Sequence, residues 1–142
     1  MGEQKLFFDD VQEGDAAPEL SHEVTRTDLV MYAGASGDFN PMHHDEVKAK
    51  EAGLPSVFAH GMFSAGFLAR ALTDWVGVGN LRRYKVRFVK QVWPGEVLTA
   101  RHTVTAKRKD DGANLVDVEC TLVNEKGEVA ISGEATAELP SR

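Results

Sequence analysis

The spacing of apolar residues changes period near the middle of the chain. Between residues 61 and 76, Met62, Phe63, Ala65, Phe67, Leu68, Ala69, Ala71, Leu72, Trp75 and Val76 cover nearly the whole circumference of a helix. Only Ser64, Arg70, Thr73 and Asp74 offer a polar side. A helix apolar on almost every side is expected to be enclosed on most of them. Gly66 in its interior costs about 1 kcal/mol against alanine, which close approach of another backbone would explain. Downstream the period falls to two. Residues 84–88 place Tyr84, Val86 and Phe88 on one face and Lys85 and Arg87 on the other, the pattern of a half-buried strand. Pro94-Gly95, Asp110-Asp111-Gly112 and Glu125-Lys126-Gly127 are turn signals at hairpin spacing. They predict four antiparallel strands at about 82–93, 96–108, 114–124 and 128–138.

Upstream the pattern is shorter-ranged. A first strand is predicted at about 19–25. Thr27-Asp28 then precedes a periodic run through Leu29, Val30, Tyr32 and Ala33, the signature of a capped short helix, with Gly34 and Gly37 ending it. Asn40-Pro41 forces extended backbone, because proline disfavours the α conformation in the residue before it. A short polar helix at about 45–51 stops at Gly53 and Pro55. The combination predicts an α+β fold, a meander of long strands curled around one buried helix. Residues 1–142 read as a single domain, with one sheet face or edge left for a partner.

Charge and composition narrow the function. The 142 residues carry 16 Lys+Arg against 22 Asp+Glu, a net charge of −6. That balance disfavours non-specific nucleic-acid binding and attachment to anionic membranes. The one cysteine, Cys120, cannot close an intramolecular disulfide, so a reducing compartment is expected. The first ten residues are acidic and lack the build of a signal peptide, and the apolar stretch at 59–78 carries Arg70 and Asp74. A cytoplasmic location is expected.

The densest polar cluster is Ser36, Gly37, Asp38, Phe39, Asn40, Pro41, Met42, His43, His44 and Asp45. Asp38 and His43 flank Asn40-Pro41, and a proline-stiffened loop can aim a carboxylate and an imidazole at one point for proton transfer. Turns at Asp38 and Asn40 with surface histidines are an equally open reading. Ala59-His60-Gly61-Met62 opens the long helix, where unpaired N–H groups can stabilise an oxyanion; a glycine serving only as a tight helix start is the alternative. His43, His44, Asp45 and His60 lack a His-x-x-x-His pair or partner cysteines, so no metal is expected. Ser36 and Ser64 lack the glycines of a nucleophile elbow. Cys120 alternates with Val118 and Leu122 and reads as a small buried hydrophobe. Arg83, Lys85 and Arg87 read as a solvated outer sheet face, or else a surface for phosphates.

The segments 36–45 and 59–62 resemble the hydratase-2 signature of MaoC-like dehydratases. The length, residues 74–77 and residues 84–88 are similar to the catalytic B subunit of mycobacterial (3R)-hydroxyacyl-carrier-protein dehydratases. The resemblance implies a hot-dog fold and reversible, (R)-specific hydration of trans-2-enoyl thioesters to (3R)-3-hydroxyacyl thioesters. It implies Asp38 and His43 as the catalytic pair, Asn40 as the residue fixing their loop, and Gly61 as the oxyanion donor. His44 lies at a variable position and carries no implied role. No cofactor is implied, since the thioester itself acidifies C2, and the partner is an acyl thioester of coenzyme A or acyl carrier protein. Pairing through an edge strand into a homodimer is implied, or into a heterodimer for a mycobacterial-type subunit. A hot-dog thioesterase and a non-catalytic hot-dog subunit remain as alternatives.

Overall fold

The computed structural model describes residues 5–142. In chain order it contains β1 (Leu20–Glu23), α1 (Arg26–Ser36), α2 (Glu46–Glu51), α3 (Gly61–Val76), β2 (Leu81–Phe88), β3 (Val97–Asp110), β4 (Ala113–Val123) and β5 (Val129–Glu138), with 3-10 turns at Phe8–Asp10 and Pro41–His43. The five strands form one antiparallel sheet in the order β1-β3-β4-β5-β2.

That order corrects the expected meander. β3, β4 and β5 follow one another, but β2 lies at the far edge beside β5. Pro94-Gly95 therefore belongs to a crossing connection rather than a hairpin. β2 also stops at Phe88, five residues before the expected end. The backbone from there turns back along the segment preceding α3, where Ala59 N–H donates to Val92 O at 2.8 Å. The β2–β5 pair is unusually close. A Cβ on Gly133 would lie 2.3 Å from Lys85 O, so only glycine fits.

The cap of α1 also moves. Thr25 Oγ1 accepts from Asp28 N while Asp28 Oδ2 accepts from Thr25 N, a reciprocal capping box two residues before the expected start. Gly34 sits within the helix. Gly37 alone ends it, at φ 78° in the left-handed region.

The sheet wraps α3, whose Leu68 and Leu72 are fully buried against Leu98, Leu122 and Ile131 of the strands. Each such side chain contributes about 1.5–3 kcal/mol when removed from water. Two polar contacts fix the rotation of the helix. Tyr84 Oη of β2 donates to Ala65 O at 2.8 Å, and His102 Nε2 of β3 donates to Leu68 O at 2.8 Å. Enclosure is less complete than the sequence pattern suggests. Met62 and Gly66 are exposed, Phe63 and Phe67 are partly so, and a Cβ on Gly66 would meet nothing within 4 Å among the described residues. The close backbone expected at Gly66 is thus not supplied by this chain. Cys120 is fully buried, and burial pushes its thiol up to about 12. Among the described residues no helix is long and apolar enough to cross a membrane.

Candidate active site

The left-handed turn at Gly37 releases the chain from α1 into a loop shaped by its own side chains. Ser36 Oγ accepts from Asp38 N, and Asp38 Oδ1 accepts from Asn40 N at 3.3 Å. Asn40 Oδ1 accepts from Met42 N at 3.1 Å, capping the 3-10 turn that carries His43. The expected turns at Asp38 and Asn40 are both present, but of the two histidines read as surface residues only His44 is exposed, and His43 is buried.

The loop is pinned to the segment before α3. Phe58 N donates to Met42 O, and the His43 ring reaches across to Phe58 O with Nδ1 at 2.7 Å. A carbonyl only accepts, so Nδ1 carries a hydrogen and Nε2 is left to face the Asp38 carboxylate. His43 Nε2 and Asp38 Oδ2 are 3.9 Å apart. That exceeds a hydrogen bond, while a water at ordinary hydrogen-bond length from both would see them at roughly 90°. The two groups differ in environment: the Asp38 side chain is 51% exposed and that of His43 only 9%. One opens to arriving molecules and the other is held.

Gly61 is the first residue of α3, so its N–H has no carbonyl four residues back. It lines a largely apolar pocket of about 260 Å³ together with Phe58, Ala59, Ser64, Phe88 and Val92. A Cβ there would lie 3.0 Å from Phe88 Cε1. The glycine lets this aromatic ring lie over the start of the helix.

His60 is the residue that sequence reasoning left without a role. It is 1% exposed and stacks on His43, with ring centroids 3.9 Å apart and planes 27° apart. Its Nε2 donates to Asp38 O at 3.1 Å. A signal was present: His60 occupies the N-cap of α3, where Ser, Thr, Asp or Asn is favoured, yet its side chain makes no cap bond. Burial holds the His60 imidazole below the usual histidine range.

Of the four residues weighed as metal ligands, only His43 and His60 come together. His44 Nε2 donates to Phe39 O in an exposed position, and Asp45 Oδ1 caps α2 through Lys48 N. Asp38, His43 and His60 do bring ligand atoms within 4.8 Å of one another. However, nitrogen lone pairs lie in the ring plane, and stacked rings aim them along separate planes. Arg83, Lys85 and Arg87 are exposed on the outer face of β2, with Arg83 paired to Glu134 at 3.0 Å.

Residues 10–127 match the family described as MaoC like domain. The (R)-specific enoyl-CoA hydratase of Rhodospirillum rubrum is 34% identical over 138 residues, covering 96% of this chain and 93% of that protein. The unliganded R-hydratase PhaJ1 of Pseudomonas aeruginosa superposes with a TM-score of 0.88 at 26% identity, covering 97% of this chain and 88% of that one. A chain of the ChsH1-ChsH2 complex of Mycobacterium tuberculosis gives 0.79 at 26% identity, covering 90% and 98%. Some curated relatives are much longer, and the chain spans 4% of one and 27% of another. The fold is the hot-dog fold, and with the match spanning most of the chain this protein belongs to the MaoC-like domain family.

Proposed function

We propose that this chain catalyses the reversible, (R)-specific interconversion of trans-2-enoyl and (3R)-3-hydroxyacyl thioesters, with Asp38, His43, Asn40 and Gly61 as its working residues. The carrying observation is the 3.9 Å gap between Asp38 Oδ2 and His43 Nε2, with their loop pinned beside the start of α3. The family and the (R)-specific enoyl-CoA hydratase relative support it.

In hydration, a water held between the pair attacks C3 and gives its proton to the Asp38 carboxylate. The C2–C3 π electrons move toward the thioester carbonyl, and the resulting enolate oxygen accepts from Gly61 N–H. Removing such a donor typically costs about 3–4 kcal/mol of transition-state stabilisation. His43, protonated at both nitrogens, delivers the Nε2 proton to C2, and its Nδ1–H stays on Phe58 O. Asp38 then returns its proton to His43 through water. Dehydration runs the same steps backward. Asn40 keeps both groups aimed by holding the turn.

The substrate is an acyl thioester of coenzyme A or acyl carrier protein, and the reaction belongs to fatty-acid metabolism in the cytoplasm. We read residues 1–142 as one domain that works as a dimer. β2 is an edge strand, and Phe88, Val89 and Met62 near it leave apolar surface exposed. A homodimer is the first expectation, and the ChsH1-ChsH2 likeness supports a second, heterodimeric arrangement.

The test is loss of enoyl absorbance when the protein meets crotonyl-CoA and a longer trans-2-enoyl-CoA, with chiral analysis of the product. Rapid formation of the (3R) product, lost in Asp38→Asn and indifferent to a chelator, is expected. Release of free thiol in place of hydration would overturn the assignment in favour of a thioesterase.

A further inference from the structure

The stacked histidine pair is unusual because its members have opposite surroundings. His43 Nδ1 is bonded to Phe58 O and its Nε2 faces an exposed carboxylate. His60 Nε2 is bonded to Asp38 O, while its Nδ1 is buried with no hydrogen-bond partner among the described residues. Tyr32 of α1 closes the other side of His60, edge-on with ring centroids 4.8 Å apart, and Phe58 meets His43 edge-on at 4.9 Å. The two imidazoles are thus the middle of an aromatic file running from α1 to the segment before α3.

We propose that His60 is the positioning residue of this site: an imidazole that fixes the His43 ring plane by stacking and the Asp38 backbone by its Nε2–H. The proposal rests on the hydratase reading given above and adds to it the reason that the two reacting groups keep their separation. Neither Asp38 nor His43 is anchored by a bond to the other. His60 touches both, stacking on the His43 ring and donating to Asp38 O, and it heads α3 next to Gly61. One side chain therefore ties base, acid and oxyanion donor into a single frame.

The neutrality of His60 follows from its geometry. The hydrogen on Nε2 is committed to Asp38 O, so a second proton would have to enter at Nδ1, where a buried N–H would find no acceptor. The titratable groups facing it are Asp38 and His43 from the loop, with His44 beyond, and Tyr32 of α1 packs against it with the ring planes 62° apart. Asp38 favours a charge on His60, whereas His43 and His44 oppose it, and burial outweighs them all.

The test separates the two contacts. His60→Gln keeps an amide donor for Asp38 O and loses the stack; His60→Phe keeps a stacked ring and loses the bond. Each should remain folded by circular dichroism and lower kcat by about tenfold, as expected for slight misplacement of reacting groups, with KM changed less than twofold. His60→Ala should lose about 100-fold. Ring-nitrogen NMR of the free protein, read on the neutral form of His43, should show its hydrogen on Nδ1 in the wild type and a mixture of tautomers in His60→Gln. Wild-type kcat in the folded Gln and Phe variants would overturn the proposal, as would an effect confined to KM. Should the wild type hydrate no enoyl thioester, the function assignment fails separately. The tautomer measurement then decides alone: an unchanged His43 spectrum in His60→Gln overturns the positioning role, and a mixed one upholds it.

Discussion

Two buried histidines, one at each end of a short path along α3, are built to the same specification and do different things. His60 and His102 are each 1% exposed. Each donates Nε2–H to a main-chain carbonyl and leaves Nδ1 buried and unpartnered among the described residues. Burial lowers both below the usual histidine range. His102 sits in mid-sheet, opposite Cys120 on β4, and its bond to Leu68 O merely docks α3 on the strands. His60 lies where the sheet no longer covers the helix, and its neighbours are a second imidazole and a carboxylate-bearing loop. Under the proposed function, identical local chemistry is structural where it meets hydrocarbon and positional where it meets an imidazole and a carboxylate.

The largest effects that would break this comparison lie at the helix head. Asp38→Asn and His43→Gln should each lower kcat by about 10²–10⁴-fold while the thermal midpoint stays within a few degrees. Retained turnover in either, with folded protein, would remove the functional half of the comparison. Gly61→Ala should come next. Its Cβ would press on Phe88 from 3.0 Å, costing about 1 kcal/mol in urea unfolding and a measurable part of kcat. Phe88→Ala introduced alongside should recover most of the stability, because it removes the ring that is crowded.

The sheet histidine should answer to pH instead. Because folding depresses the His102 and His60 values, the unfolded chain takes up protons first as pH falls. Stability is therefore full above about pH 6.5, the unfolded value, and declines below it until the folded values are reached. Each histidine can add at most about 1.4 kcal/mol per pH unit to that decline. His102→Leu should flatten the acid slope by one such contribution and leave kcat within twofold at neutral pH. A loss of kcat comparable to that of His60→Phe would erase the distinction. The smallest effect is Gly66→Ala, which should raise stability by up to about 1 kcal/mol, since nothing within 4 Å opposes the methyl group. A loss instead would place a partner's backbone against α3.

The bounds of α3, Gly61 to Val76, were legible from residue pattern alone, because glycine at both ends and unbroken apolar periodicity leave no other solution. Asp38, Asn40, His43 and Gly61 stood out in the sequence as a motif, while the roles proposed for them come from the resemblance and not from the pattern. What escaped was non-local. β2 beside β5 depends on a pairing between residues about fifty positions apart, which no turn signal encodes. Val92 and Trp93 read as strand by composition, yet the backbone there serves Ala59. The cap of α1 was displaced because Thr25 and Thr27 are equally good caps in isolation, and only Thr25 has Asp28 three residues on. His60 needed its stacking partner to be seen, and that partner lies seventeen residues away in the chain.

The position of β2 governs the order in which this protein can be assembled. Residues 81–88 leave the ribosome well before 129–138, so β2 must wait for nearly the whole remaining chain to be synthesised before β5, its neighbour in the sheet, exists. Until then the Tyr84 hydroxyl that steadies α3 and the Phe88 ring lying over Gly61 have no sheet to hold them in register. The half of the chain that carries the chemistry is made first and finished last.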